Sequence, residues 1–144
     1  RSAQLKATDL FSGINILKSY NEKVYIGGPV SQSMVFYLYR SSGDVVDLDK
    51  VCPGVYLGSN LDILESLYLD IENPEENIRF YLGYSGWSSG QLDREMEQNS
   101  WLIQTANEQF IFLDSEKMIW PNAVNSLGEK YQYLTKAPVN PQWN

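Results

Sequence analysis

The chain has no histidine among its 144 residues, and Cys52 is its single cysteine. Without histidine the commonest general base is missing, so a hydroxyl nucleophile would have to draw on lysine or a carboxylate for activation. One cysteine cannot form an internal disulfide, which excludes the stapled design of small secreted domains and points to a reducing, cytoplasmic setting. No hydrophobic run approaches the roughly 18 residues of a membrane-spanning helix. Basic runs are missing too. Eleven Lys and Arg lie scattered among eighteen Asp and Glu, for a net charge of −7. Proteins that grip nucleic acid gain much of their affinity from clustered cations that release counterions, so direct nucleic-acid binding is disfavoured. A metal donor set is lacking as well. Cys52 has no cysteine or histidine partner, and Asp44, Asp47 and Asp49 lack the central glycine and downstream glutamate of a calcium loop. Neither a metal nor a cofactor is expected.

What is present suits a packed core. A chain of this length reads as one domain over residues 1–144, and 43% hydrophobic content is enough to bury a core without staples. Ala7 to Ile16 reads as a brief helix broken at Gly13. Val24-Tyr25-Ile26 is a strand stub ending at Gly27-Gly28-Pro29. Met34 to Tyr39 is apolar throughout, as for a strand covered on both faces. Ser41 to Asp44 is a turn, and Val55-Tyr56-Leu57 another strand. Ser59-Asn60-Leu61-Asp62 opens a helix with Leu61, Leu64, Leu67 and Tyr68 on one face. Asn73 to Asn77 reads as a solvated loop. Trp101-Leu102-Ile103 and Phe110-Ile111-Phe112 read as short strands of a hairpin or corner. Ser115 to Leu127 is helical, with the helix proper starting at Pro121 and stopping at Gly128. The tail from Ala137 is expected to be extended and pinned by Trp143. Strands and helices mix without a regular alternation, which indicates α+β.

The densest information lies at Ile78 to Trp101, read as a buried strand, a glycine-rich turn holding an indole, and an acidic helix. Gly83, Gly86 and Gly90 concentrate backbone freedom where the strand passes into the helix. Gly86-Trp87-Ser88-Ser89-Gly90 fits the G-x-S-x-G pattern of a hydrolase nucleophile elbow. Ser88 has no histidine to take its proton, and Ser88 with Gln91 three residues on reads more simply as a capping box. Phosphate binding at the helix start would place an anion beside Asp93, Glu95 and Glu97 with no cation before Arg94. Asp93 instead complements the helix dipole. Trp101 is expected in core or corner packing. Trp87, flanked by glycines, fits either packing or the lining of a pocket that anchors a partner.

These residues carry a family resemblance. Gly83-Tyr84-Ser85-Gly86-Trp87-Ser88-Ser89-Gly90-Gln91-Leu92, followed by Glu95, Asn99 and Trp101-Leu102, is similar to the signature of the AlgH/YqgE family. Val24-Tyr25-Ile26-Gly27-Gly28-Pro29-Val30 resembles that family's second signature. Ile119-Trp120, Leu127-Gly128 and the tail Asn140-Pro141-Gln142-Trp143-Asn144 are also similar, the tail in the manner of Bacteroidetes members. The resemblance implies an α+β fold with a bifurcated, mostly antiparallel sheet curled into a pseudo-barrel and flanked by helices. It also brings a transcriptional-regulator label, but no catalytic residue and no cofactor to carry over. Two features depart from the pattern. Arg1-Ser2 resembles the remnant of an Asn-Arg-Pro junction, so the chain reads as lacking the family's N-terminal strands, and Tyr39 stands where a histidine often follows.

The expected function is that of a non-catalytic regulatory or binding protein with a protein or small-molecule partner. Its candidate binding residues are Gly27, Gly28, Pro29, Tyr84, Gly86, Trp87, Ser88, Gly90 and Gln91. The alternative is a hydrolase or phosphate-ester enzyme that uses the strand-turn-helix at residues 83–91.

Overall fold

The computed structural model describes residues 2–6, 23–112 and 116–136. The chain divides into two compact units, Arg1–Trp101 and Leu102–Asn144. The first unit holds strands β1 (Ser2–Lys6), β2 (Lys23–Ile26), β3 (Val30–Arg40), β4 (Asp49–Cys52), β5 (Val55–Gly58) and β6 (Ile78–Tyr84). It also holds helices α1 (Leu61–Asp70), α2 (Pro74–Asn77) and α3 (Gln91–Glu97). The six strands form one sheet in the order β1-β2-β6-β3-β5-β4. Every pair is antiparallel except β2 with β6, and the sheet is not closed, with β1 and β4 at its edges. The fold is α+β with a mostly antiparallel sheet, as the sequence and the resemblance indicated.

Register decides which side chains share a face, because neighbours directly opposite each other point the same way. Val24 pairs with Phe80, Phe80 with Tyr37, and Tyr37 with Gly58. This row faces α1, and Val24, Tyr37, Phe80, Ile78 and Leu64 are completely buried in the core. Leu61, Leu67 and Tyr68 pack around them, so the apolar stripe read in α1 is the face that meets the sheet. The Tyr37 hydroxyl donates to the Asn60 carbonyl at 3.0 Å, tying mid-β3 to the start of α1. Burial pushes its pKa up to about 12. A side chain at residue 58 would enter the Tyr37 ring, its Cβ lying 2.3 Å from the ring, which is why a glycine faces it.

Several local expectations need correction. The spacing of Ser59 and Asp62 resembles a capping box, but the cap of α1 is Asn60, whose side chain accepts from the Asp62 and Ile63 amides at 2.9 and 3.4 Å. Asn73 takes a left-handed conformation (φ 53°) and Pro74 opens the one-turn helix α2, where a loop was expected. β3 is longer than Met34–Tyr39, starting at Val30 with a bulge between Val30 and Val35. Its second face is only half covered: Phe36 and Leu38 are intermediate in exposure, against the expectation of cover on both sides. Of the core or corner packing expected for Trp101, the structure shows the corner: the ring is 46% exposed and meets Trp87 at 5.6 Å.

In the second unit the expected hairpin is not formed. Residues 101–107 have no regular structure, and Glu108–Ile111 is a turn of helix, α4. The Asn107 side chain accepts from the Gln109 amide at 2.8 Å, and this cap outweighs the strand preference of Phe110-Ile111-Phe112. A 3-10 turn (Glu116–Met118) leads into α5 (Ile119–Ser126), which begins two residues before Pro121. Pro121 therefore falls in the first turn, where an amide would have no helical acceptor. Gly128 ends the segment with φ 99°, as expected, and a 3-10 helix (Glu129–Lys136) follows. The expected helix at 7–16 and the extended tail from 137 lie outside the described residues. Among the described residues no helix is long and apolar enough to cross a membrane.

Candidate functional site

The two glycine motifs meet because β2 runs parallel to β6. Both strands end at the same level, and Gly27-Gly28-Pro29 leaves the sheet beside Gly83-Tyr84-Ser85. The Gly27 amide donates to the Leu82 carbonyl at 2.8 Å. A Cβ on Gly27 would lie 2.3 Å from the Gly83 carbonyl oxygen, and one on Gly28 would lie 2.1 Å from the Tyr84 carbonyl carbon. Gly83, at φ 67°, would carry a Cβ 2.6 Å from the Val30 carbonyl oxygen. The glycines are thus required by backbone packed directly on backbone. Gly86 is freer, since a Cβ there would meet the flexible Tyr84 ring at 3.3 Å. Pro29 is exposed beyond this join.

Beside the join lies a cavity of about 470 Å³, lined by Gly27, Gly83, Tyr84, Ser85, Phe36, Leu38, Leu57 and Tyr81. It sits on the sheet face opposite α1. Phe36 pairs with Tyr81 and Leu38 with Leu57, so these four project together. Tyr84 packs edge-on against Phe36 at 5.9 Å, and Tyr25 lies 5.6 Å from Tyr81. Burial raises the pKa of the Tyr81 hydroxyl. Among the described residues the lining carries no charged side chain. Phe36, Leu38, Leu57 and Tyr81 were not among the expected site residues. For Phe36 and Leu38 the signal was present in the unbroken apolar run of β3, which was taken as cover on both faces.

A second cluster joins the rest of the expected residues to α3. The Trp87 and Trp101 indoles both donate to one oxygen of Glu95, Oε2, at 3.1 and 2.8 Å. Gln91 donates to the other, Oε1, at 2.9 Å. The rings meet at 5.6 Å and 69°, a T-shaped pair. Hydrogen bonds from Gln91, Trp101 and Trp87 hold the Glu95 carboxyl below the usual carboxylate range. The Gln91 amide oxygen accepts from the Ser88 amide and from its hydroxyl, both at 3.1 Å. Only the reciprocal half of the expected capping box is formed. The N-cap is Gly90 in left-handed conformation (φ 69°), and the Ser88 hydroxyl serves Gln91 instead of the helix. An amide oxygen is no base, so nothing in this contact activates Ser88 as a nucleophile. Glu95, the organiser of the cluster, was read as part of an acidic helix and of the family signature, and was not among the expected site residues.

The fold and these motifs have close parallels. A UPF0301 protein of Chlorobium phaeobacteroides is 36% identical over the whole chain, which spans 75% of that relative. One from Cytophaga hutchinsonii is 32% identical over 88% of the chain and 70% of its own length. Of solved structures, the solution structure of AlgH from Pseudomonas aeruginosa matches with a TM-score of 0.69 at 22% identity, over 97% of this chain and 75% of that one. The crystal structure of protein DIP2367 from Corynebacterium diphtheriae gives 0.74 at 18% identity, over 93% and 71%. At those identities the structural likeness speaks for the fold alone. The AlgH-like family model (DUF179) matches residues 1–132, and the chain belongs to that family.

Proposed function

We propose that this chain is a non-catalytic binding protein whose ligand is a neutral, largely apolar small molecule seated on the open face of the sheet. The observation that carries the reading is the cavity of about 470 Å³ at the junction of the two glycine motifs. Its volume lies in the range of small-molecule sites, roughly 300–1,000 Å³, and an apolar lining closed at one end by backbone suits such a ligand. A charged ligand would lose hydration there with no charged partner among the described lining residues to replace it. The glycine join fixes the mouth of the cavity, so binding would need little rearrangement.

A regulatory role would then run through ligand or protein contacts. With a net charge of −7 and no basic run, the purified chain should show no submicromolar shift of DNA at low salt. The single buried thiol of Cys52 suits a cytoplasmic placement.

The test is titration with a neutral naphthylamine fluorophore, in the native chain and in Leu38→Trp. An indole at position 38 would occupy the cavity from its floor. The native chain should bind, and the variant should bind at least about tenfold more weakly with unchanged circular dichroism. A native chain that leaves the fluorophore in water, or a folded variant that binds equally well, would remove the cavity from the function.

A further inference from the structure

We infer that the corner formed by Trp87, Glu95 and Trp101 is a receptor for an arginine side chain presented by a partner protein. The inference rests on reading this turn as a binding surface, but it concerns a different part of it from the cavity.

The argument begins with an incomplete set of partners. A carboxylate offers about four lone-pair positions. Glu95 uses two at Oε2 for the indoles and one at Oε1 for Gln91, all from neutral donors. Among the described residues no cation forms an ion pair with it. Arg94, its neighbour in sequence, attracts the carboxylate only through space and reaches back towards Gly90, with Nη1 3.4 Å from where a Cβ on that glycine would stand. A full negative charge is therefore held at a fixed point with one acceptor position open.

The surroundings specify what fits. Trp87 is 38% exposed and Trp101 46% exposed, so the rings flanking the charge are open to a visitor. Their N–H edges are turned inward to Glu95, and their faces carry the negative side of the ring quadrupole. Asp93 and Glu97 add negative charge to α3, and the whole chain carries −7. A planar guanidinium can stack flat on an indole and still point one N–H at a carboxylate, whereas an ammonium is a strongly hydrated point charge with no plane to stack. Hydrogen bonds already fix the corner, so a guest would spend little entropy in ordering it. α3 buries no residue of its own, and its Leu92 and Met96 stay 37% and 40% exposed. Those side chains supply the apolar rim that the flanks of a partner segment would cover.

The experiment follows the indole N–H resonances of the full chain at about 0.15 M salt, where non-specific attraction is screened. The chain has four tryptophans, and Trp87→Phe and Trp101→Phe assign the two that matter. The probes are short capped peptides with one central arginine, lysine or citrulline. Arginine should shift the Trp87 and Trp101 resonances and leave the other two unmoved. Lysine should bind at least about threefold more weakly and citrulline not measurably. Glu95→Gln keeps an acceptor oxygen but removes the charge, and should weaken the arginine peptide about tenfold. If that variant disturbs the indole resonances before any peptide is added, Trp101→Phe serves instead, and should weaken the peptide about threefold. Equal shifts at all four indoles, an equal response to lysine or citrulline, or native affinity in the folded variants would each overturn the proposal. Fluorophore binding at the cavity is measured on the same samples. A corner that fails beside a working cavity sinks this inference alone, while a cavity that fails sinks the reading of function.

Discussion

The two faces of the sheet are made from nearly the same kinds of residue, yet they end in different states. On one, Val24, Tyr37, Ile78 and Phe80 are sealed beneath α1. On the other, Phe36, Leu38, Leu57 and Tyr81 surround a cavity and remain half-exposed. Apolar content sets how much surface would gain from burial, but an element must arrive to bury it. α1 supplies one stripe, and that stripe goes to the face carrying Phe80. The first face therefore holds the unit together. The second keeps unspent hydrophobic surface, the usual mark of a site that meets something else.

The sharpest way to break this contrast is to truncate both sides. Phe80→Ala should cost about 3–5 kcal/mol, because a completely buried ring leaves a hole. Phe36→Ala on the open face should cost about 1 kcal/mol, since part of its area already meets water. Urea midpoints compare the two, and equal losses would show that both faces are core. The glycine join comes next. Gly28→Ala puts a methyl within 2.1 Å of backbone and should cost about 1–3 kcal/mol, while Gly86→Ala, facing a movable ring, should be close to neutral. Thermal melting would reveal a reversed order.

Two smaller effects depend on pH. The Tyr37 pKa is raised in the fold from the usual value near 10 to about 12. Its neutral form is thus favoured by folding: stability is intact below pH 10 and declines as pH rises from 10 towards 12. Tyr37→Phe should remove that component of alkaline unfolding, which a urea series across this window would detect. Glu95 has the opposite sign. Its carboxyl pKa is lowered, so its contribution is present above the usual carboxylate range and fades only as pH falls through the lowered value. Trp101→Phe removes one donor and should move the Glu95 titration up towards the ordinary range, read from its side-chain carboxyl carbon by NMR. An unmoved titration would mean the indole bond does not hold the charge.

Much of the first unit was legible in the residues themselves. The β2 stub, the buried β6 and the stripe of α1 follow from periodicity and glycine placement, as does the stop at Gly128 in the second unit. Gly83, Gly86 and Gly90 signalled unusual backbone freedom and Gly27-Gly28-Pro29 the end of a strand, although pairing partners could not be read from one strand at a time. The misreadings share a cause. Phe110-Ile111-Phe112 has strand propensity, but Asn107 offers a cap, and a local hydrogen bond overrode the preference. Trp101 was open to core or corner packing, and its N–H found Glu95 at the surface. Ser88 and Gln91 were paired correctly, yet Gly90 took the cap position through its left-handed backbone.

The sequence by itself determined the family, the α+β class and the absence of histidine from this chain, because these depend on residue identity and local spacing. Tertiary structure alone decided that β2 would lie parallel to β6, bringing two distant glycine motifs together, and which apolar face α1 would cover. Such outcomes rest on strand register and on competition between elements for a common surface, and neither is written in any single stretch of chain.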